Sequence, residues 1–263
     1  MELNGQTALI TGASSGIGAE YARQFAARGA DLVLVARSED AMQRLAGELR
    51  GAHGRRVEVL SVDLAEPGAA DLVAERVAAL GIDIDLLVNN AGFGMHGDFI
   101  GADAGRITAQ IQLNCVALVD LTRRFLPGMA ARGRGAIVNV ASTAAFQPLP
   151  HMAVYGATKA FVLSFSEALY AEARPAGVKV LAICPGATRT PFFDVAGEDA
   201  AVGRKRTPQQ VVATTLSALR RSRPSRVDGL ANALVAVVTR WAPRRVVIAL
   251  AGRLTAPSVN AVG

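Results

Sequence analysis

Tyr155 and Lys159 are the two residues of this chain whose types and spacing point most directly to chemistry. Residues four apart on a helix share one face, so the phenol and the ammonium group are expected to lie side by side. An isolated tyrosine has a pKa of about 10, and a nearby positive charge stabilises its phenolate. The pair therefore predicts a general acid and base, and an ordinary surface pair on a helix is the alternative.

A glycine-rich turn is the second candidate for chemistry. Residues 11–18 read Thr-Gly-Ala-Ser-Ser-Gly-Ile-Gly and stand between an apolar run and a helical pattern. Glycines let a backbone pass close to a ligand, and the amides at the start of a helix attract the negative charge of a diphosphate. Taken alone the turn is weak support for a nucleotide site, because ordinary strand-to-helix turns also contain glycines.

Further short motifs follow this turn in a definite order along the chain. They are Asp63-Leu64, Asn89-Asn90-Ala91-Gly92, Asn114, Ser142, Tyr155-Gly156-Ala157-Thr158-Lys159, and Pro185-Gly186 with Thr188 and Thr190. Each motif is weak by itself. Together, in this order and with the glycine spacing GxxxGxG, they resemble the short-chain dehydrogenase/reductase family over residues 7 to about 192.

The resemblance implies a role for each polar residue of the catalytic set. Tyr155 donates a proton to a carbonyl oxygen as hydride reaches the carbon, and Ser142 hydrogen-bonds the same oxygen. Lys159 holds the ribose hydroxyls of the nicotinamide, and Asn114 positions a water in a proton relay. Two alternatives stay open: Ser142 could cap a turn, with Thr143 as the rival hydroxyl, and Asn114 could tie two helices together.

A cofactor-binding set follows from the same resemblance. It comprises Gly12, Ser14, Ser15, Gly16, Ile17, Gly18, Arg37, Asp63, Leu64, Asn90, Ala91, Gly92, Tyr155, Lys159, Pro185, Gly186, Thr188 and Thr190. Ala36 stands where relatives that prefer NAD carry a carboxylate for the ribose 2′-hydroxyl. Arg37 offers a fork of donors that suits a 2′-phosphate. The expected cofactor is therefore NADP(H), and a solvated surface arginine is the alternative.

Alternating apolar runs and helical patterns must position these residues. Strands are predicted at 7–10, 31–36, 57–62, 86–88, 136–140 and 178–184, and helices at 16–28, 39–51, 69–80, 103–131 and 154–173. Apolar runs without polar alternation fit a parallel sheet that is covered on both faces. The expected fold is α/β: a Rossmann-like, doubly wound parallel sheet with helices on both faces. Residues 1–228 are expected to form one domain, and residues 229–263 an extension that is not an independent domain.

Composition excludes several other classes of protein. The 263 residues are 51% hydrophobic and 19% charged, which argues against disorder and against a coiled coil. Two cysteines and three histidines are widely scattered, so neither a disulfide framework nor a metal site is expected. With no signal peptide and no membrane-spanning run, the expected location is the cytoplasm.

The chain beyond residue 200 is strongly basic. Residues 201–263 contain eleven Lys or Arg residues and one acidic residue, Asp228. No nucleic-acid partner is expected, because no motif with interleaved aromatic residues accompanies the arginines. The apolar runs at 230–238 and 246–251 are too short to cross a bilayer. They are expected to contact a second subunit of a homodimer or homotetramer, with peripheral contact to a membrane interface as the alternative.

The substrate is expected to be a bulky, mostly apolar ketone or 3-oxoacyl compound. Seven residues beside the motifs are candidates to contact it: Phe93, Phe146, Gln147, His151, Met152, Phe192 and Phe193. Of these, Phe146 and Phe193 could equally belong to the core, and His151 could be a solvated loop residue. The resemblance implies interconversion of a ketone and a secondary alcohol. The alternatives are a cofactor-binding regulator of the same fold, and an epimerase or dehydratase, which usually carries a further domain.

Overall fold

A parallel β-sheet of seven strands forms the centre of this computed structural model, which describes residues 2–197 and 200–256. Along the sheet the strand order is β3-β2-β1-β4-β5-β6-β7, and every neighbouring pair is parallel. The strands are β1 (Thr7–Thr11), β2 (Asp31–Ala36), β3 (Val57–Ser61), β4 (Leu86–Asn89), β5 (Gly135–Val140), β6 (Val178–Cys184) and β7 (Ser225–Val227). This is the predicted doubly wound topology, in which the strand order reverses between β1 and β4.

Helices cover both faces of the sheet. In chain order they are α1 (Gly16–Ala26), α2 (Glu39–His53), α3 (Ala69–Ala79), α4 (Ala104–Ile111), α5 (Ala117–Ala131), α6 (Ala153–Ala173), α7 (Phe192–Ala196), α8 (Pro208–Arg220), α9 (Leu230–Trp241) and α10 (Arg244–Leu254). Separate clusters of buried apolar residues lie on the two faces, one of them between the sheet and α1, α2 and α8. The predicted layer arrangement is thus confirmed.

One predicted helix differs from the structure. The segment 103–131 was expected to be continuous, but a π-helical turn at Gln112–Val116 separates α4 from α5. Such a turn adds one residue, which shifts the apolar periodicity by a single position, and a shift that small does not interrupt the helical pattern visibly in the sequence. The turn carries Asn114. Single-turn π segments often occur at functional sites.

The α8 helix also went unpredicted, although its start has a clear signal. Thr207 and Gln210 form a reciprocal capping box, and Pro208 occupies the first helical turn.

No helix within residues 2–197 and 200–256 is both long and apolar enough to cross a membrane.

Buried amides join the strands that carry the site. Asn89 of β4 donates its Nδ2 to Asn139 Oδ1 of β5 at 2.9 Å and to Thr122 Oγ1 of α5 at 3.1 Å. Asn139 in turn donates to Ser166 Oγ of α6 at 2.9 Å. All four side chains are buried. A buried polar group is costly without a partner, so this network fixes β4 and β5 against the helix that carries Tyr155.

Replacement of Asn139 by alanine is predicted to lower the free energy of unfolding by about 1–3 kcal/mol for each buried group left without a partner. Urea denaturation measures the change. Asn4→Ala is the matched control, because Asn4 is exposed and its loss is expected to cost less than about 0.5 kcal/mol. Equal losses in the two variants would contradict a stabilising role for the network.

Candidate active site

A cavity of about 1620 Å³ opens at the carboxyl ends of the strands. It brings together nearly all the residues predicted from the motifs. Its lining includes Gly12, Ser14, Ser15, Gly16, Ile17, Arg37, Asp63, Leu64, Asn90, Ala91, Gly92, Ser142, Tyr155, Lys159, Pro185, Gly186, Thr188 and Thr190. Of the predicted set, Gly18 and Asn114 lie behind this surface. Ligands of open α/β sheets bind at this end of the strands.

The glycine turn has a shape that side chains would destroy. Gly12 and Gly16 have φ values of +64° and +56°, which favour glycine. A Cβ on Gly18 would lie 2.2 Å from the carbonyl oxygen of Gly12, so the start of α1 packs directly on the turn. Ser15 caps α1 without a hydrogen bond from its own side chain, and lines the cavity. This cradle fits the diphosphate of a dinucleotide, which the first amides of α1 would hold.

The loop after β4 is fastened to the glycine turn. Thr11 Oγ1 accepts hydrogen bonds from the backbone amides of Asn90 and Ala91, both at 3.0 Å. Asn90 Nδ2 donates to the carbonyl oxygens of Thr11 and Gly12 at 2.9 and 3.3 Å. The Asn90 side chain is therefore occupied in holding two loops together. The adjoining residues, Ala91 and Gly92, form cavity wall.

Lys159 and Tyr155 lie in the first turns of α6, as their spacing predicted. Lys159 is buried, and its Nζ donates to the carbonyl oxygen of Val140 at 2.8 Å, where β5 ends. The same Nζ lies 5.8 Å from the centre of the Tyr155 ring. Ser142 hydrogen-bonds to Tyr155 and also accepts from the backbone amide of Ala144 at 3.1 Å. Ser142 thus caps a turn and faces the tyrosine at once.

The pKa of Tyr155 differs from the expectation that the nearby ammonium group would lower it by stabilising the phenolate. Burial raises the pKa of Tyr155 to about 12, and the hydrogen bond with Ser142 offsets only part of that effect. The expected lowering of this pKa was wrong here, because desolvation of the phenolate is the largest influence on it. Burial lowers the pKa of Lys159 to about 8. At neutral pH Tyr155 is therefore a protonated phenol, as a proton donor must be.

Asn114 joins three segments behind the site. Its Nδ2 donates to the carbonyl oxygen of Phe93 at 3.0 Å and to Thr158 Oγ1 at 3.1 Å, and its Oδ1 accepts from the amide of Phe93 at 3.1 Å. A Cβ on Gly92 would lie 2.9 Å from that Oδ1, so glycine is needed there. The alternative role of Asn114, to tie two helices together, is confirmed. That Asn114 also positions a water stays a prediction.

Arg37 and Asp63 meet where β2 and β3 end. Arg37 Nη1 lies 3.7 Å from Asp63 Oδ2, and the Arg37 side chain is 80% exposed. Ala36, the last residue of β2, places no carboxylate at the position that would receive a ribose 2′-hydroxyl. An exposed arginine in a loose ion pair retains donors for an anion.

The loop after β6 contacts the C-terminal helices. A Cβ on Gly186 would lie 2.5 Å from Asn232 Nδ2 of α9. In the same loop Thr188 Oγ1 donates to the Gly186 carbonyl oxygen at 3.0 Å, and Thr190 Oγ1 accepts from the amide of Phe192 at 3.4 Å. The predicted threonines therefore shape this loop as well as line the cavity.

The substrate side of the cavity was predicted only in part. Five of the seven candidates line it, namely Phe93, Gln147, Met152, Phe192 and Phe193. Phe146 packs instead on a core cluster, which was the stated alternative. His151 lies outside the lining, and its Nδ1 is 2.7 Å from Asp98 Oδ1. Its backbone has a φ of +59°, which turns the chain just before α6.

The sequence analysis missed the contribution of α9 and α10. Both helices wall the apolar end of the cavity through Val235, Val238, Val246, Val247, Leu250 and Leu254. Their apolar runs were visible in the sequence, but a run does not tell which surface it covers. Within the described ranges, no group of three or more His, Cys, Asp or Glu residues could hold a metal ion.

Lys159→Met is predicted to raise the free energy of unfolding at pH 7 by about 1–3 kcal/mol, because a buried charge is lost. The lysine pKa is lower in the folded state, so its cost is full below about pH 8 and fades as the pH rises towards 10.5. The advantage of the variant should shrink over that range. Lys179→Met is the control, because Lys179 is exposed on β6. A variant less stable than the wild type at pH 7 would contradict this assignment.

Comparison with known proteins agrees with this geometry. Residues 6–201 match the profile of the short chain dehydrogenase family. A very-long-chain 3-oxoacyl-CoA reductase of Phaeosphaeria nodorum is 35% identical over 222 residues, which are 83% of this chain and 64% of the relative. The match thus spans less than two thirds of that relative's length.

Two solved structures are similar over almost their whole length. A short-chain dehydrogenase of Sphingobium yanoikuyae in complex with NADPH is 37% identical, with a TM-score of 0.82 and 98% of each chain covered. An alcohol dehydrogenase of Comamonas testosteroni, specific for bulky-bulky ketones, is 33% identical, with a TM-score of 0.78 and coverage of 99% of this chain and 98% of that one. With its motifs assembled around one cavity, this chain belongs to the short-chain dehydrogenase/reductase family of oxidoreductases.

Proposed function

We propose that the protein interconverts a ketone and a secondary alcohol with NADP(H), and that Tyr155 is the general acid and base. The observation that carries the proposal is the half-buried phenol of Tyr155 beside Ser142 and Lys159, in the same cavity as the glycine cradle. A proton donor and a dinucleotide cradle in one cavity are what carbonyl reduction requires.

When bound in the cavity, a nicotinamide cofactor would supply the hydride for the carbonyl carbon. Tyr155 gives its proton to the carbonyl oxygen, and Ser142 donates a hydrogen bond that orients the same oxygen. Lys159 places a positive charge near the phenolate that forms, which lowers the cost of the proton transfer. In the direction of alcohol oxidation, the phenolate of Tyr155 takes the hydroxyl proton.

The apolar end of the cavity supports a substrate with a large hydrocarbon part. Valine and leucine side chains of α9 and α10 form that wall, and Phe192 and Met152 line the cavity beside Tyr155, with the Phe192 ring centre 5.5 Å from that of Tyr155. Relatives named for very-long-chain 3-oxoacyl-CoA and for bulky-bulky ketones fit the same chemistry. A 3-oxoacyl thioester or a bulky apolar ketone is the proposed substrate class.

Tyr155→Phe is predicted to bind NADPH normally and to lose about 10²–10⁴-fold in kcat on a bulky ketone, because only the proton donor is removed. Turnover is measured with a panel of ketones by following the absorbance of NADPH at 340 nm. Tyr170→Phe is the matched control on the same helix, since its hydroxyl donates to the Ser222 carbonyl away from the cavity. Near-normal turnover in Tyr155→Phe would refute the mechanism, and a wild type inert on the whole panel would favour the regulatory alternative.

Arg37→Ala is predicted to weaken NADPH binding by about tenfold to a hundredfold, because a hydrogen-bonded charge partner of the 2′-phosphate is lost. The dissociation constant of NADH should change little. Fluorescence titration with both cofactors separates the two effects. Arg44→Ala, an exposed change on the neighbouring α2, serves as control. Equal losses for NADPH and NADH would dismiss Arg37 as the phosphate ligand.

A further inference from the structure

The outer face of α9 carries an apolar stripe without a partner among the described residues. Leu230, Leu234, Val237 and Trp241 recur at helical spacing and are 58–84% exposed. Ala236, on the opposite face, is buried. A row of large apolar side chains this exposed is unusual for a protein surface and indicates contact with another apolar phase.

Only positive charge borders this stripe within the extension. The charged residues of segment 229–256 are Arg240, Arg244, Arg245 and Arg253, and all four are exposed. Three of them lie where α9 ends and α10 begins, beside Trp241. α10 adds exposed Val246, Ile248 and Leu250 next to these arginines. Apolar residues flanked by arginines, with a tryptophan at the boundary, are typical of helices that lie in a membrane interface.

We propose that the α9–α10 face rests on the surface of a membrane that contains anionic lipid. The helices contain 12 and 11 residues, which is too short to cross a bilayer but long enough to lie in its interface. The apolar stripe would enter the boundary of the acyl chains, and the arginines would meet lipid phosphates. The proposal does not depend on the reaction catalysed.

Charge distinguishes this occupant from a second copy of the chain. In a symmetric dimer the same patch faces itself, so each copy brings its own arginines to the contact. Whichever way two copies are turned, the segment 229–256 offers no carboxylate to neutralise those arginines. An anionic lipid surface supplies the missing negative charge.

The proposed membrane face continues into the cavity. Val235, Val238, Val246 and Leu250 are at least half exposed, and the same four residues line the apolar end of the cavity. A membrane beneath α9 and α10 would therefore lie against the apolar end of the site. An apolar substrate could then pass from the lipid into the cavity without crossing water, which lowers the cost of its transfer.

Co-sedimentation with vesicles tests the proposal. The full chain is mixed with vesicles of phosphatidylcholine alone, or of phosphatidylcholine with phosphatidylglycerol, at low and at high salt. The double variant Leu234→Glu with Val237→Glu changes only exposed stripe residues outside the cavity lining. Leu72→Glu on α3 is the control, because it places a glutamate on an exposed leucine outside the stripe. Light scattering reports the oligomeric state of each protein.

We expect the wild type and Leu72→Glu to bind the anionic vesicles, and the stripe variant to bind at least about tenfold less. Arg244→Gln with Arg245→Gln should weaken vesicle binding by about fivefold for each arginine. High salt should also weaken the binding of the wild type, because it screens the attraction between the arginines and the lipid. A wild type that stays in the supernatant, or a stripe variant that binds as well as Leu72→Glu, overturns the proposal. Loss of an oligomer in the stripe variant, with no vesicle binding by the wild type, assigns the face to a second copy instead.

Discussion

The buried ammonium group of Lys159 is the constraint on which the rest of the site depends. A buried charge is costly unless it is paired or hydrogen-bonded, and here the carbonyl oxygen of Val140 accepts from it at 2.8 Å. This bond fixes the first turns of α6 over the end of β5 and sets Tyr155 beside Ser142. The Asn89–Asn139 network holds the same strands from within. In the proposed function, stability is given up to keep a positive charge where the reaction would need it.

Close backbone contacts also fix the half of the cavity that is proposed to hold the cofactor. Gly18 packs on the carbonyl oxygen of Gly12, and Thr11 and Asn90 fasten the loop after β4 to the glycine turn. That loop leads to Gly92 and so to Asn114, which is tied to α6 through Thr158. A continuous chain of hydrogen bonds and packing contacts therefore connects the glycine turn to α6, the helix that carries Tyr155.

The sequence predicted the features that local patterns determine. Apolar runs gave β2 and β6 with their observed bounds, and motif spacing placed Tyr155 and Lys159 on one helix. Features that depend on tertiary surroundings could not be read in this way. The pKa of Tyr155 rises because of burial, which a spacing of four residues does not report. The π turn at Asn114 shifts the apolar periodicity by only one residue, and the apolar runs of α9 and α10 do not tell which surface they cover.

A direct measurement of the Lys159 pKa tests this account at its centre. The chain contains three lysines, Lys159, Lys179 and Lys205, so NMR of protein labelled with ¹³C at the lysine ε-carbon gives a spectrum simple enough to assign. The resonance of Lys159 is identified by its absence in a variant that lacks this lysine. The account predicts that this resonance titrates with a midpoint near the pKa of about 8 given by burial. A midpoint at the ordinary lysine value of about 10.4 would show a solvated ammonium group and contradict the account.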